Sequence, residues 1–279
     1  MNINAIQTFL TVVRTGNLNR AAEQLNVTQS AVTARLDTLE QALGAKLLVR
    51  SRKGASLTKP GFAFLEQAEI IVRSWENARV RSSLPRGVTR LFSLVCHPSL
   101  WTGLGDRWVA GFRQTQRETA AEVWPGLGTD ASRWLQTGLS DAALLPEPLN
   151  EPGIESREFA IDRLVQVRCT APKRPGQESD DVYVDYGPDI RIQHAEALPR
   201  DDNAPVALSN PDWALSHILT HGGTAYLPDR MVAGRIRSGA LQRVPNAPEF
   251  TQRSHLNWRN SSETTFPWLA HAKLETLPE

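Results

Sequence analysis

The sequence predicts a two-domain chain, with a small helical head followed by a larger α/β body. Its length of 279 residues is enough for a separate hydrophobic core in each domain. Apolar residues recur at helical spacing through residues 1–80, whereas short apolar runs alternate with helical segments further on. The charge divides as well: residues 1–90 hold 13 Lys and Arg against 6 Asp and Glu, and the remainder holds 18 against 24. A basic head on an acidic body indicates that the head alone meets a polyanion.

Cysteine content and hydropathy predict a cytoplasmic protein. The two cysteines, Cys96 and Cys169, suit a reducing compartment and are expected to be small buried hydrophobic residues. The first ten residues lack the basic segment and the continuous apolar run of a signal peptide. No apolar run approaches the roughly 20 residues that a membrane-spanning helix needs, so no contact with a membrane is expected.

The head begins with two helices joined by a turn. The first apolar residues fall on one helical face; they are Ile3, Ile6, Phe9, Leu10 and Val13. This helix is expected to end near Gly16, because glycine readily adopts a positive φ. Asn19 can cap a second short helix, in which Ala21 and Ala22 face inward. Such small residues allow two helices to cross closely.

The third helix carries the most informative pattern. Thr28 stands where an N-cap belongs, and Gly44 follows the last apolar residue as a C′ glycine would. The apolar residues of one face are Val32, Leu36, Leu39 and Leu43. The small and polar residues of the opposite face are Ser30, Thr33, Ala34, Asp37 and Gln41. Such a face is typical of a helix that enters a DNA groove, which predicts a helix-turn-helix; an ordinary pair of helices in a helical core is the alternative.

A cationic hairpin is predicted after the third helix. The cations of residues 46–59, which contain no acidic residue, are Lys46, Arg50, Arg52, Lys53 and Lys59. Residues 47–49 suit a strand, Lys53-Gly54 a turn and residues 55–57 a returning strand. This wing would place cations against phosphates and can insert an arginine into the minor groove. A hairpin that is merely solvated would not need so many cations.

The head resembles the LysR-type transcriptional regulators. The matching residues are Phe9-Leu10, Asn19-Arg20-Ala21-Ala22 with Leu25, Thr28-Gln29-Ser30-Ala31-Val32, Leu39-Glu40, Leu43-Gly44, Leu47-Leu48, Arg50 and Leu57-Thr58-Lys59-Pro60-Gly61. Ser74-Trp75 and residues 33–35 further resemble the HdfR-like branch of that family. The resemblance implies a winged helix-turn-helix domain over residues 1–58 and regulation of transcription through double-stranded DNA.

The residues expected to contact DNA combine this resemblance with the polar face of the third helix. They are Asn19, Arg20, Thr28, Gln29, Ser30, Thr33, Ala34, Arg35, Asp37, Arg50, Arg52 and Lys53. Ala34 departs from the family, in which many members carry a basic or long polar residue at this position. The operator preference of the family is therefore not carried over.

Residues 59–86 are expected to form a linker helix and a hinge. A stripe at spacings of four, three, four and three consists of Phe64, Ala68, Ile71, Trp75 and Ala78. From Pro60 to Ser82 the helix would be about 34 Å long. The resemblance implies that this helix pairs two copies of the chain in a homodimer or homotetramer. The alternative is that the stripe packs on the chain's own body, although residues 84–87 read as a separating hinge.

The body, residues 87–279, is predicted to be a parallel α/β domain in two halves. Strands are expected at 89–95, 120–124, 142–145, 164–169, 182–185 and 205–208, with helices at 100–114, 129–135, 211–221 and 228–237. The pattern resembles the family's effector domain, which has the fold of periplasmic binding proteins. The halves are expected at 87–162 with 260–279, and at 163–259. The two crossings between them are expected near Ala160–Arg163 and Leu256–Asn260.

An effector site is expected where strand ends at Val95, Val123 and Val184 converge, because ligands bind beyond the carboxyl ends of strands in α/β sheets. The candidate residues are His97, Ser99, Leu100, Trp124, Thr129 and Tyr186. Hydroxyl groups and helix N-termini there favour a small anion, most simply a carboxylate. The alternatives are that Ser99 and Thr129 only cap helices, that Trp124 only packs, and that His97 is structural.

No catalytic motif, metal site or cofactor site is recognisable in the sequence. The expected function is therefore that of a non-enzymatic regulator whose DNA binding responds to a small-molecule effector, with RNA polymerase as a further expected partner. An architectural DNA binder, in which the body only assembles oligomers, is the alternative within DNA binding. A solute-binding or enzymatic protein with an added helical domain would have no use for the cationic wing.

Overall fold

A computed structural model describes residues 2–51, 54–82, 84–170, 181–198 and 204–272. The chain divides into two units, residues 1–86 (the head) and residues 87–279 (the body). Among the described residues, no helix has the length and apolar character needed to cross a membrane.

The described elements of the head occur in the predicted order. They are α1 (Ile3–Thr15), α2 (Leu18–Gln24), α3 (Gln29–Leu43), β1 (Leu48–Ser51), β2 (Gly54–Leu57) and α4 (Lys59–Ser82). Gly16 ends α1 at φ 64°, in the left-handed region that favours glycine. The N-cap of α2 is Asn17 rather than the predicted Asn19. Its side chain accepts hydrogen bonds from the backbone N–H groups of Asn19 and Arg20, so the helix begins earlier than the sequence pattern suggested.

The recognition pattern of the third helix is largely confirmed. Thr28 caps α3, and Gly44 at φ 66° ends it. Val32, Leu36 and Leu39 are buried in the head core. The fourth apolar residue of this face, Leu43, is 41% exposed. It lies in the last turn of the helix, which extends past the core.

The linker helix α4 packs its first turns on the head. Ala68 is fully buried there, and the Phe64 ring lies 5.5 Å from that of Phe9 on α1. Ile71 is also packed against this core. The first half of the stripe thus packs on the head within one chain, with Phe64 and Ile71 half-buried, and the pairing of two copies along α4 stays a prediction.

The described elements of the body alternate between strands and helices, as predicted. They are β3 (Arg90–Cys96), α5 (Pro98–Leu100), α6 (Asp106–Thr115), β4 (Thr119–Pro125), α7 (Gly128–Thr137), β5 (Ala142–Leu145), β6 (Ile154–Cys169), β7 (Asp181–Val184), α8 (Pro188–Ala197), β8 (Val206–Leu208), α9 (Pro211–His221), β9 (Thr224–Pro228), α10 (Asp229–Arg237), β10 (Leu241–Arg243), β11 (Phe250–Arg259) and α11 (Asn260–Thr265). A 3₁₀ turn at Pro267–His271 follows.

The described strands of the body form one mixed sheet rather than two separate parallel ones. Their order is β4-β3-β5-β11-β6-β9-β7-β8, with β10 paired to β6. The long strands β6 and β11 run antiparallel through both halves, and a bulge interrupts their pairing between Ser254 and His255. β11 pairs with β5 from His255 onward, so the second crossing lies before this residue and not at the expected 256–260. Two hydrophobic cores flank this central pair of strands, one in each half.

The segment expected as one helix, Leu100–Gln114, is interrupted. A π-helical turn at Trp101–Gly105 contains non-helical backbone at Thr102 and Gly103, and α6 begins only at Asp106. Gly103 has a φ of 76°, which favours glycine. The apolar spacing continues across the break, because both sides still face the same core.

Candidate DNA interface and ligand groove

The start of α3 presents short polar side chains to solvent. Gln29, Ser30 and Ala34 are exposed and Thr33 is half-buried. The Thr28 hydroxyl accepts a hydrogen bond from the Ala31 N–H at 3.2 Å and lies 2.9 Å from the Ser30 hydroxyl. The N-terminal turn is thereby held in place while its outer face remains accessible, as insertion into a groove requires.

Two further residues that are expected to contact DNA lie beside this face, and a third forms a hydrogen bond within the head. Asn19 and Arg20 are exposed in the first turn of α2. The half-buried Arg35 donates to the Thr8 hydroxyl of α1 at 3.5 Å, which ties α3 to α1. Arg35 therefore also contributes to the packing of the helix.

A buried carboxylate joins α3 to the hairpin of β1 and β2. Glu40 is 3% exposed and accepts hydrogen bonds from the Lys46 ammonium at 2.7 Å and from the backbone N–H groups of Leu47 and Leu48 at 2.8 and 3.2 Å. Burial alone would raise the pKa of Glu40, but these hydrogen bonds together lower it. Sequence reasoning missed this role of Glu40, although an acidic residue just before the cationic stretch of residues 46–59 could have indicated it.

Two of the expected DNA contacts pair with each other. The Arg50 guanidinium donates to the Asp37 carboxylate at 2.7 Å and lies 3.6 Å from Glu40. Asp37 and Arg50 therefore fix the base of the hairpin against α3, a role that sequence reasoning missed. Arg52 and Lys53 lie outside the described residues.

The second half of the linker stripe differs from the first. The Trp75 side chain is 48% exposed, and Ala78 is exposed as well. These two residues, unlike Phe64 and Ala68, present an apolar surface beyond the head core.

The first group of expected effector residues is occupied by internal contacts. His97 caps α5, its Nδ1 accepting from the Ser99 N–H at 3.3 Å and lying 2.7 Å from the Ser99 hydroxyl. Burial lowers the pKa of His97, which favours the neutral ring. Ser99 is buried, and Leu100 is a fully buried core residue rather than a ligand wall. His97 therefore has the structural role given as its alternative, and the cap of this turn is His97 rather than Ser99.

The remaining effector candidates lie in different halves of the body. Trp124 and Thr129 are exposed on and after β4, whereas Tyr186 follows β7. The Tyr186 hydroxyl is buried and donates to the Tyr226 carbonyl at 3.0 Å. Burial raises the pKa of Tyr186. The convergence of these residues on one crevice stays a prediction.

A buried arginine holds the two halves of the body together. The Arg230 Nε of α10 lies 2.9 and 3.0 Å from the two carboxylate oxygens of Asp162 on β6. The same guanidinium donates to the backbone carbonyls of Ser99, at 3.3 Å, and of Thr102. We call this contact the Arg230 latch. It occupies the position at which the sequence predicted effector binding.

A second hydrogen bond between the two halves lies beside the latch. The Thr102 hydroxyl donates to Asp212, in the first turn of α9, at 3.0 Å. A Cβ at Gly103 would lie 3.4 Å from the Arg230 guanidinium. The break in the helix at Thr102–Gly103 therefore exposes the Thr102 carbonyl to Arg230, and a Cβ at Gly103 would make only an ordinary van der Waals contact with the guanidinium.

An open groove lies beside the latch. Its volume is about 450 Å³. It lies between the end of β5, the first turns of α8 and the strand β11. Among its lining residues is Tyr186, one of the predicted effector-binding residues. Gln252 of β11 faces this groove and pairs through its backbone with Asp162 of β6. Directly opposed residues of antiparallel strands share one face of a sheet, so the groove and the latch adjoin.

The cysteines and metal-ligating residues suggest no further chemistry. Burial raises the pKa of the Cys96 thiol to about 12, so the thiolate is scarce at neutral pH. Cys169 is half-buried in the other half of the body. Within the described ranges, no cluster of three or more His, Cys, Asp or Glu could hold a metal ion.

Comparison with known proteins agrees with the architecture of the head. A family model described as "Bacterial regulatory helix-turn-helix protein, lysR family" matches residues 3–62. A curated relative, the "HTH-type transcriptional regulator HdfR" of Salmonella schwarzengrund (strain CVM19633), is 27% identical over 277 residues, which cover 94% of each chain.

Solved structures have the same fold over nearly the whole chain. The LysR family transcriptional regulator CbnR has a TM-score of 0.73 at 17% identity and covers 98% of this chain and 99% of its own. Full-length CbnR complexed with its target DNA has a TM-score of 0.71 at 18% identity, with the same coverage. The family model thus identifies residues 3–62 as a helix-turn-helix domain of the lysR family, and the rest of the chain is similar in sequence to the HdfR regulator and in fold to CbnR.

Proposed function

We propose that this chain regulates transcription by reading duplex DNA with the exposed N-terminal face of α3, under the control of a small molecule bound by the body. The observation that supports DNA reading most strongly is the geometry of α3. The helix is capped by Thr28, buried along Val32, Leu36 and Leu39, and open on the side that carries Gln29 and Ser30. Such a helix can enter a major groove without loss of core contacts.

Within this proposal, the exposed residues divide into two roles. Ser30, Thr33 and Ala34 contact base edges, while Arg20 and the cations of the hairpin contact phosphates. Asp37 and Arg50 maintain the position of the hairpin through their ion pair. Because the two recognition helices of a dimer bind two half-sites, the exposed Trp75 and Ala78 join two copies of the chain. As a transcriptional regulator, the protein would act in the bacterial cytoplasm, with RNA polymerase as a partner.

Selection of duplexes from a random pool by the purified chain tests the DNA-reading proposal. Thr33→Ala should change base preference at one or two positions, by about 1–3 kcal/mol, without lowering the melting temperature of the head. Gln41→Ala, at the exposed C-terminal end of the same helix, is the matched control and should leave the preference unchanged. If Thr33→Ala unfolds the head or selects the wild-type sequences, the assignment of this face is wrong.

The architecture of the body supports the control by a small molecule. Two long strands, β6 and β11, run through both halves, an arrangement in which small rotations change the angle between halves. The groove of about 450 Å³ beside the Arg230 latch adjoins that junction. A ligand that binds one arrangement of the halves better than another would shift the population of the two arrangements.

A further inference from the structure

The groove is lined by a buried amide that has no hydrogen-bond partner among the residues that the structure describes. Gln252 is only 4% exposed, and among the described residues neither its Nε2 nor its Oε1 has a hydrogen-bond partner. Buried polar side chains are nearly always paired, because an unpaired one loses its hydration without compensation. Gln193 in the same groove shows the usual outcome: its amide donates to the Thr251 carbonyl and accepts from the Thr251 N–H, both at 3.1 Å. The Gln252 amide therefore has both N–H groups of Nε2 and the Oε1 acceptor available to a ligand.

The rim of the groove carries two carboxylates that form no ion pair with any described residue. Glu147 after β5 and Asp189 in the first turn of α8 are exposed, and neither forms an ion pair with a described residue. The one arginine of the rim, Arg253, is already paired with Glu158 at 3.6 Å. These charges favour a ligand with a positively charged group.

The beginning of α8 favours a negatively charged ligand group at the same groove. No side chain caps this helix, whose N-cap is Gly187, and Pro188 has no N–H. The first-turn N–H groups of Asp189 and Ile190 therefore have neither an intrahelical acceptor nor a cap. A carboxylate group can accept from these N–H groups and from the Gln252 Nε2.

We propose that the groove binds a small zwitterion of the α-amino acid class. Its carboxylate accepts from the start of α8 and from the Gln252 Nε2, and its ammonium group donates to the Gln252 Oε1 and to the carboxylates of Glu147 and Asp189. This inference rests on the proposed role of the body as a ligand-binding domain and replaces the plain carboxylate expected from the sequence. Gln252 lies opposite Asp162 in the sheet, so the ligand would bind beside the residue that holds the Arg230 latch.

Calorimetric titration of the full chain tests this assignment. The probes are the standard L-amino acids, the corresponding amines without a carboxylate, and the N-acetyl derivatives without the ammonium group. At least one amino acid should bind, and its amine and N-acetyl forms should bind at least tenfold more weakly. Gln252→Leu should weaken binding at least tenfold while leaving the melting temperature equal or higher, because it removes an unpaired buried amide. Glu147→Gln should also weaken binding of the amino acid.

Gln242→Leu, the same change on the exposed part of β10, is the control and should bind as the wild type does. Equal affinity for an N-acetyl derivative and its parent, unchanged binding by Gln252→Leu, or no binding of any amino acid at 10 millimolar (a concentration on the order of the weakest useful affinity) would each overturn the zwitterion site. If a different small molecule still shifts the melting temperature of the body, ligand control survives and only the ligand class is wrong. If no small molecule does so, the proposed control fails with it.

Discussion

Glu40 illustrates how one side chain can fix the geometry of a binding surface. Its carboxylate accepts from Lys46 and from two backbone N–H groups of the hairpin, and it lies within the face of α3 that sequence patterns assign to the core. Glu40→Gln removes the charge and leaves the N–H groups of Leu47 and Leu48 with a weaker acceptor. We expect a loss of about 1–3 kcal/mol in the stability of the head. Glu23→Gln, on the exposed face of α2, should have little effect.

The same carboxylate predicts a pH dependence. Its folded-state pKa is lower than the ordinary value, so its contribution to stability is fully present above the ordinary Glu range. The contribution is lost as the pH falls through the lowered pKa. The free energy of unfolding of the head can be measured by hydrogen exchange in urea. The values for the wild type and Glu40→Gln should converge in acid and separate toward neutral pH. Parallel curves across this range would show that Glu40 does not act as a charged acceptor.

The Arg230 latch makes a second prediction at the scale of single residues. Arg230 and Asp162 are 12% and 11% exposed, so removing one partner leaves a buried charge uncompensated. Arg230→Met should destabilise the body by about 3–5 kcal/mol and speed hydrogen exchange at residues 99–103. The double variant Arg230→Met with Asp162→Asn should recover much of the stability but not the protection of that segment. Additive losses in the double variant would argue against the latch.

Among the elements, α4 shows where sequence patterns stop being informative. The stripe predicts an apolar face correctly, yet Phe64 and Ala68 pack on the head and only Trp75 and Ala78 extend beyond it. Trp75→Ala should shift the chain toward monomer in sedimentation, because truncating a central interface aromatic typically costs a few kcal/mol. Phe64→Ala should instead destabilise the head, on the order of 3 kcal/mol. A monomer from Phe64→Ala together with an unchanged dimer from Trp75→Ala would reverse these assignments.

Element types followed from local patterns, whereas the ligand site depended on how distant segments meet. The caps at Thr28 and Gly44 were predictable because each is set by neighbouring backbone groups. Leu100 was assigned to a ligand wall and Ser99 to an effector contact, since their positions after a strand do not reveal which side chains turn inward. Arg230 and Gln252 were missed because their significance comes from contacts with segments remote in sequence. The alternation of Phe250, Gln252 and Ser254 along a strand was the available signal for a buried amide.

At the scale of the whole molecule, a basic head is combined with an acidic body. The acidic body discourages DNA from binding elsewhere on the chain, so the head must supply the cations that displace counterions. The halves of the body can then respond to a ligand without a change in the DNA-contacting residues themselves.

The salt dependence of DNA affinity tests this central claim most directly. The measurement is a fluorescence anisotropy titration of the full chain against a selected duplex and a shuffled duplex of equal length, at several salt concentrations. The account predicts tighter binding of the selected duplex and a steep decrease of affinity with salt, with a slope of about −0.9 for each neutralised phosphate in a log–log plot. A slope near zero, or equal affinity for the two duplexes at every salt concentration, would contradict it.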